Sequence, residues 1–297
     1  MEHNLEWYRV FYWTAKLGGL TNAAKRLNIT QPAVSHTLKQ LESNLDVHLF
    51  FRTSKGVTLT SEGEVLFTFI EKAIQLIELG EKSISGMKNL LNGEISIGAS
   101  DTLCKYYLLP FLEKFHSQYP DIKVHVTNRT TPETLALLKD GKIDFGVVNL
   151  PAEDPKITFH KSAIQQECLV GSPKYASRIK KTLHLSELSQ FPLLLLEPGG
   201  STRSFIDNYS LANGVLLNPE FELGSVDLLV QFALSGFGLT IIAKNYVVEE
   251  LMMGGLIEIP LIPKIPERHI GIATLNGFPL SAAARHFLNY IIPESPL

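Results

Sequence analysis

The residues Leu-Thr-Asn-Ala-Ala-Lys-Arg-Leu-Asn-Ile-Thr-Gln-Pro-Ala-Val-Ser, at positions 20–35, decide how the N-terminus of this chain folds. Thr21 is a residue type that caps helices, and the small pair Ala23–Ala24 lets a second helix approach closely. After a short break, Thr30 provides a second cap and Pro32 lies in the first turn, where its missing N–H costs nothing. Two capped helices separated by a tight turn predict a helix-turn-helix, which places its second helix in the DNA major groove.

A further helix precedes this pair. Apolar residues recur on one side of the segment from Leu5 to Ala15, which predicts a helix ending at Gly18–Gly19. The second helix of the pair should bury one face, made of Ala33, Val34, Leu38, Leu41 and Leu45. Its outward arc then carries Gln31, Ser35, His36 and Lys39. Glutamine and basic side chains on such an arc can read base edges or contact phosphates.

A short basic hairpin follows the helices. Arg52-Thr53-Ser54-Lys55-Gly56 and then Val57-Thr58-Leu59 predict two strands with a basic tip, which is the wing of a winged helix-turn-helix. The residues expected at DNA are Thr21, Asn22, Thr30, Gln31, Pro32, Ser35, His36, Lys39, Arg52, Thr53, Ser54 and Lys55. A small helical bundle whose polar arc is only solvated would show the same caps, so the local pattern leaves that alternative open.

Charge is distributed unevenly along the 297 residues. The net charge of the chain is −3, but residues 1–60 carry seven basic and four acidic side chains, a net charge of +3, which leaves −6 for the remainder. A basic N-terminal module on an acidic body suits a polyanionic partner at one end only. The length fits two or three domains, and a composition of 45% hydrophobic and 19% charged residues excludes a disordered or fibrous chain.

The cysteines and the N-terminus bear on the compartment. Cys104 and Cys168 form neither a CxxC pair nor a disulfide framework, which favours a reducing environment. Residues 1–16 place acids where a secretory signal needs lysines, and no apolar run approaches the ~18 residues of a membrane span. The sequence therefore predicts a cytoplasmic protein with no membrane partner.

A long helix follows the hairpin. Ser61 and Glu64 predict a capping box that opens a helix running to about Leu91, roughly 45 Å at 1.5 Å per residue. Along it, residues suited to a packed seam recur at alternating steps of four and three: Leu66, Ile70, Ala73, Ile77, Gly80, Ile84, Met87 and Leu91. That spacing is typical of a coiled coil and predicts a dimerisation seam. A helix packed on its own chain would satisfy the same spacing.

From residue 94 onward, strand patterns and helix patterns alternate. The alternation predicts two α/β lobes with mostly parallel sheets. A helix from Thr102 to His116 should kink at Pro110. The strand His269–Ala273 and the helix Ser281–Ile291 should return to the first lobe, so that the chain crosses between the lobes twice.

These motifs together closely resemble the LysR-type transcriptional regulators. The resemblance rests on residues 20–27 and 30–35 and on Leu41-Glu42, Leu49–Thr53 and Leu59–Gly63, all in register. It implies an α+β multidomain protein with a C-terminal two-lobed α/β effector domain similar to type 2 periplasmic binding proteins. The expected divisions are a winged helix-turn-helix domain at 1–60, a linker and dimerisation helix at 61–91, and an effector domain at 92–297, with lobe I at about 92–161 and 268–297 and lobe II at about 162–267.

Two positions depart from the usual pattern of the family. Asp46 stands where glycine commonly follows the recognition helix, and aspartate tolerates the left-handed backbone better than most residues. His36 stands where arginine is frequent, which puts the base preference in doubt.

The expected effector site lies where strands end and helices begin. Open α/β sheets bind ligands at the carboxyl ends of their strands, and helix N-termini there favour anions. Two turns fit this description, Ser100-Asp101-Thr102 and Gly199-Gly200-Ser201-Thr202-Arg203. By resemblance, Ser100, Thr102, Asn149 and Thr202 fall near the family's effector cleft, with Asn128 and Arg129 as neighbours. We expect a small polar or anionic effector, although each hydroxyl could also be an ordinary helix cap.

Other classes of protein fit less well. The chain has no GxSxG, GxxxxGK[ST] or HExxH motif and no ligand-spaced histidine pair, so we expect neither an enzyme nor a metal or cofactor site. A solute-binding protein would fit the lobes alone but requires export. A redox-sensing regulator using Cys104 is a second alternative, since a helix dipole could lower the pKa of its thiol. The expected partners are a pseudo-palindromic operator in double-stranded DNA, a small-molecule effector, further copies of the chain in a homodimer or homotetramer, and RNA polymerase.

Overall fold

The structure is a computed structural model that describes residues 4–53, 56–88, 93–179 and 182–292. The chain divides into two compact units, Met1–Lys82 and Ser83–Leu297. In the described ranges, no helix is both long enough and apolar enough to cross a membrane.

The first unit is a helical module with a hairpin. Its elements are α1 (Leu5–Leu17), α2 (Leu20–Leu27), α3 (Gln31–Leu45), β1 (Phe50–Thr53), β2 (Gly56–Leu59) and most of α4 (Ser61–Lys88). Strands β1 and β2 pair antiparallel. The core contains Val10, Phe11, Ala23, Ala24, Val34, Leu38, Leu41 and Leu49. The predicted helix-turn-helix followed by a hairpin is confirmed.

Each of the first three helices ends on a residue in the left-handed backbone region. These residues are Gly18, Asn28 and Asp46, with φ of 66°, 54° and 53°. Glycine adopts this conformation without strain, and asparagine and aspartate are the other residues that tolerate it. The expectation for Asp46 is therefore confirmed, because the turn after α3 forms without glycine.

Local details of the helix pair differ from the sequence prediction. The cap of α2 is the backbone of Gly19, and Thr21 lies inside the helix, so the prediction of Thr21 as a cap was wrong. Thr30 does cap α3, since its hydroxyl accepts the Ala33 N–H at 3.3 Å. The buried face is narrower than expected, because Ala33 and Leu45 are exposed.

The start of α4 also differs from the prediction. The cap is Thr60 rather than Ser61, because the Thr60 hydroxyl accepts the Gly63 N–H at 3.0 Å and donates to the His48 carbonyl at 2.7 Å. Thr60 is buried and Ser61 is exposed. The hydroxyl thus anchors the helix to the loop after α3. The helix is described to Lys88, and the expected end near Leu91 lies outside the described residues.

The second unit begins with the larger part of lobe I. Its elements in chain order are β3 (Glu94–Ala99), α5 (Asp101–Leu103), a π-helical turn at Cys104–Leu108, α6 (Leu109–Gln118), β4 (Lys123–Asn128), α7 (Thr131–Lys139), β5 (Phe145–Leu150) and β6 (Ile157–Gln165). Aromatic rings from α6 and β5, among them Phe115 and Phe145, lie in the core of this lobe.

Lobe II follows directly. Its elements are β7 (Glu167–Gly171), β8 (Leu183–His184), β9 (Leu193–Leu196), α8 (Ser201–Ala212), β10 (Phe221–Leu223), α9 (Val226–Leu234), β11 (Leu239–Ala243), α10 (Val248–Met252), β12 (Ile257–Ile259) and β13 (Leu261–Ile262). The chain then returns to lobe I through β14 (Arg268–Leu275) and α11 (Ala282–Ile291). The predicted double crossover is confirmed.

Both large sheets are mixed, whereas mostly parallel sheets were predicted. The strand order is β4-β3-β5-β14-β6 in lobe I and β10-β9-β11-β7-β12 in lobe II. The first three strands of each sheet are parallel, but β14 runs antiparallel to β5 and β6, and β7 runs antiparallel to β11 and β12. The reversed strands adjoin the crossovers between lobes. The sequence reading missed β6, whose residues lack a buried apolar run.

The helical segment that contains Pro110 departs from regular α-helical geometry just before the proline. The helix widens at residues 104–108, where the Leu109 N–H donates to the Cys104 carbonyl five residues earlier. Pro110 then stands in the first turn of α6. The wider turn thus directly precedes the proline, whose missing N–H removes one hydrogen bond from this continuous helical segment.

A buried ion pair ties the two crossovers together. Arg268 begins the returning strand β14, and its Nε donates to Oε1 of Glu167, the first residue of β7, at 2.7 Å. Both side chains are almost fully buried, at 2% and 0% exposure. Gln165 also donates to Glu167 Oε1 at 3.2 Å, and Tyr246 donates to Gln165 at 3.3 Å. These contacts fix the junction at which the lobes join.

The cap of α4 gives a direct prediction. Thr60→Ala should lower the free energy of unfolding of the first unit by about 1–2 kcal/mol, because it removes the cap and a buried hydrogen bond. Ser61→Ala is the matched control and should change it by less than about 0.5 kcal/mol. Urea denaturation of both variants measures the difference. A larger loss of stability for Ser61→Ala than for Thr60→Ala would show that Ser61 is the cap.

The junction gives a second prediction. Arg268→Met should destabilise the second unit by about 3–5 kcal/mol, because it leaves the Glu167 carboxylate buried without its cation. The double variant Glu167→Gln with Arg268→Met should be more stable than Arg268→Met alone. The midpoints of urea unfolding of the unsubstituted protein, the single variant and the double variant measure the two losses. Equal stability of Arg268→Met and the double variant would contradict the claim that an unpaired buried carboxylate causes the loss.

Candidate DNA-binding surface and effector cleft

The outward arc of α3 lies opposite its buried face. Gln31, His36 and Lys39 are exposed and Ser35 is half-buried, while Val34 is fully buried. The predicted residues outside the arc, Thr21, Asn22, Thr30 and Pro32, are also exposed. The first turn of α3 therefore presents polar side chains to solvent on a helix whose position the core fixes.

The hairpin follows this surface in the chain, and only part of the hairpin lies among the described residues. Arg52 and Thr53 belong to β1, at the end of the strand next to the tip. Ser54 and Lys55 lie outside the described residues. Gly56 and Val57 continue the hairpin in β2, and the Val57 N–H donates to the Gly18 carbonyl at 3.1 Å. This contact holds the hairpin against the end of α1.

The predicted seam of α4 divides into two parts. Leu66 and Ile70 are half-buried against the core of their own unit. Ala73, Ile77 and Gly80 lie further along the helix, where Ala73 and Ile77 are exposed. The side chains of Ile84 and Met87, and all of Leu91, lie outside the described residues.

A different apolar stripe of α4 faces solvent. Val65, Phe69 and Leu76 are 61%, 68% and 44% exposed. Their spacing of four and seven residues places them on one side of the helix. We call these three residues the exposed α4 stripe. The sequence analysis did not predict this stripe, because the neighbouring seam residues form a longer series with steps of four and three.

A cavity of about 440 Å³ lies between the two lobes of the second unit. We call it the cleft. Six of the predicted effector residues line it: Ser100, Asp101, Thr102, Asn149, Ser201 and Thr202. The lining also includes Thr130, Thr131, Pro132, Glu133, Glu197, Ser225 and Tyr246, which the sequence reading missed.

Four helices start at the cleft, and their caps differ. Ser100 caps α5 by accepting the Leu103 N–H at 3.3 Å, and Ser225 caps α9 by accepting the Leu228 N–H at 3.3 Å. Thr130 and Glu133 form a capping box at α7. Helix α8 follows Gly200, and no side chain of the described residues caps it. Its first N–H groups can therefore donate to a bound anion, which the helix dipole also favours.

Three predicted effector residues lie outside the lining. Asn128 Oδ1 accepts the Asp101 N–H at 3.1 Å, and Arg129 donates to the Asn128 carbonyl at 2.7 Å. Arg203 is buried and binds Asp207 at 3.0 Å and Glu222 at 2.6 Å. Asn128 thus supports the turn at Asp101, and Arg203 anchors α8 to lobe II.

Among the described residues, the lining contains three carboxylates and no lysine or arginine. Glu133 accepts the Thr130 N–H at 3.0 Å, and Asp101 accepts the Thr102 N–H at 2.8 Å. Glu197 is exposed, and its carboxylate has no hydrogen-bonding side-chain partner in the described part of the chain. An anion in the cleft therefore depends on helix N–H groups and hydroxyls, whereas Glu197 can receive a positively charged group.

Several contacts join the lobes around the cleft. The Thr131 and Ser201 hydroxyl oxygens are 3.1 Å apart. Lys105 pairs with Asp227 at 2.9 Å, and the rings of Tyr106 and Tyr246 stack with centroids 4.6 Å apart. Arg268 donates to the Thr202 hydroxyl at 3.1 Å, which links the lining to the buried junction.

The cysteines have raised rather than lowered pKa values. Burial and the charge of Asp101 raise the pKa of the half-buried Cys104 thiol, which corrects the expectation that a helix dipole lowers it. Burial raises the pKa of Cys168 to about 12. Because the thiolate is the reactive form, both residues are poorly suited to redox sensing in this structure. In the described ranges, no group of three His, Cys, Asp or Glu residues is placed to hold a metal ion.

Comparisons with known proteins match both parts of the chain. Residues 5–64 match the bacterial regulatory helix-turn-helix family of the lysR type, and residues 88–295 match the LysR substrate binding domain. The regulator CfxR of Cupriavidus necator is 28% identical over 290 residues, which cover 97% of this chain and 90% of CfxR. The regulator BbuR of Bordetella bronchiseptica is 29% identical over 255 residues, 84% of this chain and 76% of BbuR.

Solved structures share the fold. A full-length variant of OxyR from Pseudomonas aeruginosa aligns with a TM-score of 0.68 at 21% identity, covering 98% of this chain and 95% of OxyR. Full-length CbnR in complex with its target DNA aligns with a TM-score of 0.56 at 19% identity, covering 99% of both chains. The two family matches together account for the helix-turn-helix unit and the two-lobed unit. This chain therefore belongs to the LysR family of DNA-binding transcriptional regulators, with an effector-binding domain and no enzymatic role.

Proposed function

We propose that this regulator binds a pseudo-palindromic operator as a homodimer or homotetramer, and that a small polar or anionic effector in the cleft changes its activity. The exposed polar arc of α3, held opposite a buried face, is the observation that carries the DNA-binding part of this proposal. The sensing part rests on the cleft and on the uncapped start of α8.

Base reading is assigned to the first turns of α3. In helix-turn-helix proteins, the N-terminal residues of the recognition helix contact base edges. Gln31 can donate to and accept from one adenine at the same time, and Ser35 lies one turn further along. Lys39 and His36 would contact phosphates or a guanine edge. The hairpin, with Arg52, Thr53, Ser54 and Lys55, would contact the adjacent backbone.

Gln31→Ala should weaken binding to the specific operator by about 1–3 kcal/mol and leave binding to random DNA nearly unchanged. The matched control is Gln40→Ala, since Gln40 is also exposed on α3 but lies roughly 13 Å further along the helix axis. Fluorescence anisotropy on both DNAs, at one fixed salt concentration, measures the two affinities. An equal loss on specific and random DNA would contradict base reading by Gln31.

Dimerisation is assigned to the exposed α4 stripe. Apolar residues repeated on one side of a long helix are stable when a second helix covers them. The stripe faces solvent, whereas Leu66 and Ile70 of the predicted seam pack against the core of their own unit. We therefore propose that Val65, Phe69 and Leu76 form the start of the interface, and that Ala73, Ile77 and Gly80 adjoin it. Ile84, Met87 and Leu91 remain candidates for its continuation.

Two copies joined in this way would present two recognition helices. A dimer that reads two half-sites gains affinity and specificity over a single module, because the second contact becomes intramolecular. A pair of dimers would give the homotetramer. The proposal also includes recruitment of RNA polymerase and a cytoplasmic location.

The proposed domains keep the bounds 1–60, 61–91 and 92–297. Within the last of them, lobe I comprises about 92–161 and 268–297, and lobe II comprises about 162–267.

Phe69→Asp should raise the dissociation constant of the dimer by at least about tenfold, since it removes a buried ring and adds a charge at the interface. Met252→Asp is the control, because Met252 is 82% exposed and lies in the other unit. Sedimentation equilibrium over a range of protein concentrations measures both constants. An unchanged constant for Phe69→Asp would place the interface elsewhere.

Effector binding is assigned to the lining of the cleft. The N–H groups of Ser201 and Thr202 at the start of α8 would hold an anionic group, with the hydroxyls of Ser100, Thr102 and Thr131 around it. Asn149 and Asp101 complete the lining. Asn128, Arg129 and Arg203 would act indirectly, by holding the turns that carry these residues. Because the cleft lies between lobes, a ligand that contacts both would change their relative stability in open and closed arrangements.

A further inference from the structure

A second cavity of about 600 Å³ adjoins the cleft. Its walls are mainly apolar, with Leu135, Leu150 and Pro151 from one lobe and Phe205, Tyr209 and Pro266 on the other side. We call it the tail cavity. It shares Thr131, Pro132, Asn149 and Ser201 with the cleft, so the two spaces are neighbours with a common wall.

One hydrogen bond in the common wall joins the two lobes. The Thr131 and Ser201 hydroxyls, 3.1 Å apart, form its contact between the lobes. A single neutral hydrogen bond of this kind contributes little net stability, because a ligand or water hydroxyl can replace it. A ligand that parts these two side chains would occupy both spaces.

Asn149 belongs to the same wall and contacts Thr131. Its backbone N–H donates to the Thr131 hydroxyl at 3.3 Å, and the residue is 7% exposed. In the described part of the chain, its side-chain Oδ1 accepts no hydrogen bond. A buried acceptor without a donor is costly and rare, so a ligand N–H or O–H at this point would be favourable.

We propose that the effector is a carboxylate with a hydrogen-bond donor on the adjacent carbon and a large apolar side chain. This inference rests on the effector role proposed for the cleft. The carboxylate binds the uncapped N-terminus of α8, the donor reaches Asn149 Oδ1, and the apolar side chain enters the tail cavity. α-Hydroxy acids and α-amino acids both fit this description, and the carboxylate of Glu197 in the lining favours an ammonium group as the donor.

Isothermal titration of the full-length protein with a matched set of compounds separates the three contacts. L-Phenylalanine and L-3-phenyllactate carry all three groups, L-alanine and L-lactate lack the tail, and 3-phenylpropionate lacks the donor. We expect the first pair to bind roughly 10- to 100-fold more tightly than the second, as burial of a phenyl ring predicts. 3-Phenylpropionate should bind more weakly than phenyllactate, because it leaves Asn149 without a donor. If phenylalanine binds more tightly than phenyllactate, the result supports the role proposed for Glu197.

Two variants on one helix test the tail cavity. Ser204 is exposed on α8 and lines the cavity, so Ser204→Phe should fill it and weaken the phenyl compounds by about tenfold without changing alanine or lactate. Leu211→Phe, on the same helix and 57% exposed, should change none of the affinities. Asn149→Ala should remove the preference for phenyllactate over 3-phenylpropionate and keep the preference for the tail.

The outcomes distinguish this inference from the proposed function. If alanine and lactate bind as tightly as their phenyl counterparts, or if Ser204→Phe weakens all compounds equally, the tail cavity is wrong and the cleft stands. If no carboxylate binds, or if the uncharged 2-phenylethanol binds as tightly as phenyllactate, the anion site at α8 is wrong, and this inference falls together with the anionic form of the proposed effector.

Discussion

The packing of α3 against α1 and α2 is the constraint on which DNA recognition depends. Val34, Leu38 and Leu41 are buried on one side of the helix, and this fixes the rotation of α3 about its own axis. A rotation by one residue would turn the helix by about 100° and bury polar side chains in place of leucines. Gln31 and Lys39 face solvent because the leucines of α3 occupy the buried side of the helix. The left-handed residues Asn28 and Asp46 end α2 and α3, respectively.

A second constraint holds the sensing unit together. The chain passes between lobes at Gln165–Glu167 and again before Arg268, and the buried pair of Glu167 and Arg268 joins the two passages. Arg268 also binds Thr202 in the lining of the cleft. A ligand at the start of α8 is therefore one hydrogen bond away from the junction between lobes. Through this hydrogen bond, effector binding at α8 can alter the relative position of the two lobes.

The sequence was sufficient for the strongest local signals and insufficient where tertiary contacts decide. Thr30 and Pro32 mark the start of α3 because capping is a local interaction, and the return of the chain to lobe I followed from its strand and helix patterns. The choice of Thr60 over Ser61 as a cap was not readable, since it depends on the distant His48 carbonyl. The capping box of Thr130 and Glu133 is a local signal of the same kind, because the two residues stand three positions apart in the sequence. The burial of Arg203 and the second cavity depend on how elements far apart in sequence pack.

Hydroxyl-radical footprinting of the full-length protein on operators selected from random DNA tests the central claim most directly. A dimer that inserts two copies of α3 into successive major grooves should protect two half-sites with related sequences, whose centres are separated by about 10 base pairs or a multiple of that spacing. Protection of a single unpaired half-site, or selection of no common sequence at all, would contradict the account.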